Sequence, residues 1–497
     1  MTSGEQGGSV PGSTPRSIPR SIPRSITRRL STLDHRPNLG LLLAECATVL
    51  AVAYMLGTSS LLVGIAVAGV AVMLVVALSP NAALLALVVL YVIPETVSIG
   101  GLRSRDVVAV AFGILVLEWL RRSVASRGLM LLLAVDIGLL CVLLVSALGF
   151  ISQPGETASL AELGASLVIL AAGGCLGAMK GMDVAVRMVR LVILGVAIGT
   201  LSVWLHNNAS LKEVGALAEQ ARATSIFGNP NFLGTFLAIG AVLWIAPGKG
   251  RRPTLRQVVA FGVILAAVVV TASRGAILVT AIGLMAIMML RRRRAVAVVA
   301  GVLLVPLALW GVFALTNARL AGSRQLGINA VSIQNSAGLR TQSARLALRL
   351  ILQHPWAGVG YEQFVAYSAR DQHIGIPFDT HDEYLRIGAE GGLIALAFFL
   401  ILVLYPVWRA GREARNTGSR TSVAVFGALV AFAASLVTVN GLQSFQYAAP
   451  WMLLAGIMVG AAAHDSDHPP DWEITQLDRR PTAQVPARPV DLRLSAR

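Results

Sequence analysis

Residues 391–405 read GGLIALAFFLILVLY, a run that could not stay dissolved in water on its own. Runs of this kind recur along the chain, and they constrain the fold more than any other feature. A bilayer presents about 30 Å of hydrocarbon, which about 20 apolar residues cross as one helix. Backbone N–H and C=O groups find no water in that layer, so a crossing run satisfies them internally as a helix. Runs long enough begin near Leu41, Leu61, Ala82, Asp106, Leu129, Leu160, Val184, Ile226, Val258, Gly275, Ala295, Leu385, Ser422 and Tyr447. The pattern predicts an all-α polytopic membrane protein with about 14 (12–14) transmembrane helices. Composition supports this: of 497 residues, 55% are hydrophobic and only 13% charged, about half the charge of a soluble domain.

The net charge of +16 is that of a membrane protein with Lys and Arg in its cytoplasmic loops, and no nucleic-acid partner is expected. Residues 1–38 differ from the rest. Arg16 to Thr27 spells RSIPRSIPRSIT, whose prolines prevent a helix, and no apolar core with a cleavage site accompanies it. A disordered basic cytoplasmic tail is expected over 1–38, a transmembrane domain over 39–463, and a second cytoplasmic tail over 464–497. With the first tail inside, these basic groups fall on the same side: Arg121, Arg122 and Arg127; Lys180; Lys249, Arg251, Arg252 and Arg256; Arg291 to Arg294; and Arg409, Arg412, Arg415 and Arg420. Cys46, Cys141 and Cys175 lie in apolar runs, so neither a disulfide nor a metal site is expected.

A segment from 316 to 384 is too long for a hairpin and falls outside the cytoplasm. Within it, LRTQSARLALRLILQH (339–354) carries apolar residues at helical spacing, an amphipathic helix for the outer membrane surface. Arg222, Arg274, Arg340, Arg345 and Arg349 share this outer side, where positive charge is normally sparse. Arg274 interrupts the apolar stretch VVVTASRGAILVT with no acidic residue close in sequence, so its partner is distant or an anionic ligand. Arg222 precedes Gly228, Asn229, Pro230 and Asn231, which break the start of a span. Free amides beside a guanidinium make an anion site, although the asparagines equally suit helix caps. Arginines fork onto phosphate oxygens, and no Walker sequence is present, so a phosphate or pyrophosphate on a lipid-linked substrate is the anion suggested.

Three blocks in order, RATSIFGNPNFLGT (222–235), TASRGAIL (271–278), and HPWAGVGYEQF (354–364) followed by HDEYLRIGAEGGLIALAFF (381–399), carry a resemblance. The chain resembles the O-antigen ligase and Wzy-type polysaccharide polymerase superfamily over about residues 200–405. The resemblance implies a GT-C-type glycosyltransferase of the bacterial cytoplasmic membrane, without metal or cofactor. Such an enzyme passes a glycan from a polyprenyl-diphosphate carrier to a glycan or glycolipid acceptor on the outer side. It also implies diphosphate-gripping roles for Arg222 and Arg274, with Arg345 a further candidate, and a catalytic role for His381. Asp382 stands where many relatives have Asn.

An imidazole titrating near neutrality suits removal of a proton from an acceptor hydroxyl. Asp382 or Glu383 could orient it, and Glu390 or a distant carboxylate is equally eligible. Tyr384 and Arg386 read as interface anchors, His354 and Trp356 as packing in a turn, and Gly358, Gly360 and Gly392 as points of close backbone approach. Ligase and polymerase are not separated by these motifs. The competing class is a transporter or flippase for a glycolipid or small anion, which would place charges at mid-membrane within two repeats.

Overall fold

The computed structural model describes residues 98–99, 102–103, 127–147, 156–207, 223, 227, 229–245, 254–290 and 331–467. The runs expected from Leu41, Leu61, Ala82, Asp106 and Ala295 lie outside these residues, as does the tail over 1–38. Apart from an antiparallel pair of two-residue strands, β1 (Ser98–Ile99) and β2 (Leu102–Arg103), the described chain is built from helices. They are α1 (Arg127–Ala147), α2 (Glu156–Lys180), α3 (Met182–Asn207), α4 (Pro230–Ile245), α5 (Leu255–Val270), α6 (Arg274–Leu290), α7 (Val331–Gln353), α8 (Phe364–Arg370), α9 (Glu383–Thr417), α10 (Arg420–Ser435) and α11 (Phe445–Asp467). The last runs past His464, where the second tail was expected to start.

Segments of α1, α3 and α9 are long and apolar enough to cross a membrane, and the apolar stretches of α2, α4, α5, α6, α10 and α11 are shorter. The protein is a helical membrane protein. Local chemistry starts and stops these helices. Asn229 caps α4, accepting the Asn231 N–H at 2.8 Å, with Pro230 at the first helical position, where a missing N–H costs nothing. Thr254 and Gln257 form a reciprocal capping box at α5. Gly418, at φ 61, ends α9 in the left-handed conformation.

Packing follows from small residues, since lipid tails give helices no hydrophobic reason to associate. Gly173 and Gly177 of α2 lie against Leu453 and Ile457 of α11, so these helices run parallel with their backbones nearly touching. Gly128 and Gly138 of α1 face Tyr405 and Phe398 of α9, an antiparallel pair. Gly234 and Val242 of α4 meet Ser273 and Gly283 in parallel register, and α10 returns antiparallel against α6. One end of the bundle joins Thr421 to Asp183 and Arg420 to Gln257. The other end joins Ala223 to Val270, and Glu383 to Leu436. The sequence-predicted site residues that are described, apart from Glu390 about two turns further into α9, gather at this second end or in α7 beside it.

Candidate functional site at one end of the bundle

Arg274 opens α6 immediately after a tight turn. Thr271 and Ala272 donate their N–H groups to Val268 and Val269, Ala272 takes a left-handed φ of 50, and Ser273 Oγ accepts the Ala276 N–H as the helix cap. Gly234 of α4 and Thr438 beyond α10 press on this turn, which fixes where the guanidinium leaves the backbone. Ala223 is pinned there too, its N–H donating to Val270 O at 3.2 Å. Arg222 itself lies outside the described residues.

The expected amphipathic helix is α7. Leu346, Ala347 and Leu350 of α7 pack with Val359, Phe364, Ile374 and Ala389 into a small apolar core of their own. That core orients the arginines. Arg340 stands three and seven residues from buried Ser343 and Ala347, though the residue itself is exposed. Arg345 is five residues further, about 140° around the helix, and shares an exposed face with Leu348, Arg349 and Leu352. Arg349 is bound to Asp371 at 3.3 Å. Arg340 lies within electrostatic reach of Arg274. Partial burial, and then the nearby positive charge of Arg274, hold the Arg340 guanidinium below its ordinary pKa.

Arg340 is also within electrostatic reach of His381. Burial first, and the Arg340 charge second, lower the His381 pKa below its usual value, while Asp379 pulls the other way. The His381 backbone takes a left-handed φ of 53, and its imidazole rests edge-on against Phe378, ring centroids 5.1 Å apart. The carboxylates proposed to orient it are committed elsewhere. Asp382 is the N-cap of α9, accepting the Leu385 N–H at 3.1 Å. Glu383 and Glu390 belong to a buried cluster around Arg386, itself 1% exposed. Arg386 meets Glu383 at 2.7 Å, Glu362 at 3.4 Å and Glu390 at 3.5 Å, and lies over the Tyr361 ring at 5.4 Å. Glu383 accepts the Leu442 N–H and Glu390 the Phe364 N–H. Arg386 is thus a buried tie between α9 and two loops, and not an interface anchor. Tyr384 is likewise half-buried, donating to Ala433 O at 2.8 Å. The carboxylate acting on the imidazole is Asp379, which the sequence reading did not single out.

Gly392 breaks α9 at φ 75, separating a short lip (383–391) from the long apolar segment beyond. The freed carbonyls of Ala389 and Glu390 accept the Val359 and Gly360 N–H groups at 2.9 and 3.1 Å, and Leu393 N–H reaches Pro355 O at 2.7 Å. The 355–360 loop fits only because Gly358, at φ 68, approaches the Glu390 backbone with no Cβ, as expected for a close approach. Trp356 is 70% exposed beside this junction, and His354 is exposed as well, so neither is packed inside a turn. Asn229 is a helix cap, and Asn231 contributes its carbonyl to Thr235 Oγ1 at 2.7 Å.

Three segments far apart in sequence are thus linked electrostatically, Arg340 to Arg274 and His381 to Arg340 and Asp379. Residues 259–400, from α5 to the middle of α9, match the family model described as O-Antigen ligase. Over these residues the chain is similar to the O-antigen ligase family. The match spans 142 residues (259 to 400 inclusive) of 497. It contains Arg274, Arg340, Arg345 and His381 of the O-antigen ligase segment, and leaves Arg222, Asn229 and Asn231 outside it. No curated protein matches the chain.

Proposed function

We propose that this membrane protein, with about 14 spans, is a glycosyltransferase acting on the extracytoplasmic face. It moves a glycan from a polyprenyl-diphosphate carrier to a hydroxyl of a glycan or glycolipid acceptor, as a ligase or a polymerase. The observation that carries the reading is that Arg340 lies within electrostatic reach of both Arg274 and His381. Two like charges held close raise one another's energy, and an anion between them relieves it. A diphosphate, with oxygens for both guanidiniums, matches that need.

In the proposed step the acceptor oxygen attacks the anomeric carbon, the bond from that carbon to the diphosphate oxygen breaks, and the acceptor proton passes to His381. The lipid diphosphate leaves with the electron pair, stabilised by Arg274 and Arg340. Arg222, next to the pinned Ala223, is a third proposed contact. A lowered pKa keeps the imidazole neutral, and so able to accept the proton, down to a more acidic pH than a free histidine. Asp379 stabilises the imidazolium once it forms.

The test is transfer by the purified protein in nanodiscs supplied with a lipid-diphosphate glycan. His381→Ala is expected to abolish transfer and retain donor binding, and Arg274→Ala to weaken donor binding. Wild-type transfer by both variants would end this reading.

A further inference from the structure

His381 sits on a backbone that must be held in place. At φ 53 its Cβ crowds the neighbouring carbonyl, so a residue other than glycine stays there only when its surroundings enforce it. The enforcement comes from the residue before it. Thr380 is 3% exposed. Its hydroxyl donates to Asp382 O at 2.8 Å and accepts the Asp382 N–H at 3.1 Å. One oxygen therefore grips both polar groups of the residue following His381 and closes the chain into a tight loop with the imidazole at its apex.

The loop is anchored on both sides. Thr380 N–H donates to Asp379 Oδ1 at 2.7 Å. Asp382 Oδ1 holds the first turn of α9 through the Leu385 N–H. Upstream, the Phe378 N–H donates to Ser368 Oγ of α8 at 2.9 Å, and the Phe378 ring meets the imidazole edge-on. The chain from 378 to 385 is thus threaded through side-chain-to-backbone bonds on either side of His381, which itself makes none of them.

We propose that Thr380 is a positioning residue, whose buried hydroxyl clasps Asp382 and so sets the turn that presents the His381 imidazole beside Arg340 and Asp379. The inference deepens the reading of His381 as the base and rests on it. Thr380 touches neither donor nor acceptor. Its removal therefore disturbs proton transfer without disturbing the arginines that hold the diphosphate.

Thr380→Val keeps the shape of the side chain and deletes the hydroxyl; Thr380→Ser keeps the hydroxyl. Steady-state transfer in nanodiscs is measured for both, with donor binding as the check that the protein is assembled. Thr380→Val is expected to lose about ten- to a hundredfold in kcat, the usual cost of a small misplacement of a reacting group. Its donor KM is expected to stay within about twofold of wild type, and Thr380→Ser to recover most of the rate. Should Thr380→Val fail to assemble, Thr380→Ala is the second hydroxyl-free variant. A hydroxyl-free variant with wild-type kcat, a serine variant as slow as valine, or parallel loss of donor binding would overturn the proposal. An active His381→Ala would remove the base reading, and this inference with it. An inactive His381→Ala beside a fully active Thr380→Val removes the clasp alone.

Discussion

At the scale of single residues, the chemistry of this site is a balance of charges around one imidazole. Arg340 lowers the His381 pKa and Asp379 raises it, with burial the larger cause of the lowering. The base form of a histidine is the deprotonated one, so transfer falls on the acid side as pH drops through the His381 pKa. The acid limb of kcat against pH is therefore expected below the ordinary histidine value of about 6.5. Asp379→Asn keeps an oxygen for the Thr380 N–H and removes the negative charge, which moves that limb to lower pH. A limb that stays put, or moves upward, would mean that Asp379 does not act on the imidazole. The residues involved were only partly legible in sequence. Arg274 stands out because charge is sparse in the apolar stretch around it, and His381 because it lies in a cluster of titratable groups at the lip of an apolar run. That Arg340 of α7 lies within reach of Arg274 of α6 takes the tertiary fold, which no local pattern writes. Asp379 and Thr380 gave no signal, because a turn that bonds its own backbone has no period to read.

At the scale of elements, the decisive feature is that α9 is not one helix. The break at Gly392 gives the lip its own direction, and loop 355–360 supplies donors and an acceptor for the groups the break sets free. In lipid such a break is tolerated only where protein fills the gap. Gly392→Ala would place a Cβ against the Trp356 carbonyl at φ 75, on the order of 1–3 kcal/mol of strain before any relaxation. Thermal unfolding in detergent is expected to shift downward and transfer to fall, because the lip carries both the Asp382 cap and the Arg386 cluster. An unchanged melting temperature with full activity would show that the break is not needed. The sequence marked Gly358, Gly360 and Gly392 as points of close approach, but not that Gly358 and Gly360 meet Glu390 while Gly392 meets Trp356. Likewise, Arg386 looked like an anchor because its three carboxylate partners are spread from Glu362 to Glu390. A buried ion cluster leaves no hydropathy signature.

At the scale of the whole molecule, two kinds of information separate. Where the chain crosses lipid is written locally, since bilayer thickness sets helix length and hydropathy is read along one dimension. The described helices from α1 to α11 fall on runs anticipated that way, with α7 and α8 in the long loop between them. Which helix ends meet is not local. It depends on glycine contacts such as those between α2 and α11 and on pins such as Ala223 to Val270, which link segments far apart in sequence. The central claim is of this second kind: Arg274 and Arg340, from different elements, grip one diphosphate. The most direct measurement is donor affinity across a double-mutant cycle, with Arg274→Ala, Arg340→Ala and the pair in nanodiscs. Each single change is expected to weaken binding about tenfold or more, and the two losses to be non-additive by about 1 kcal/mol, as for groups sharing one ligand. Single variants that bind the donor like wild type, or losses that simply add, would contradict the account.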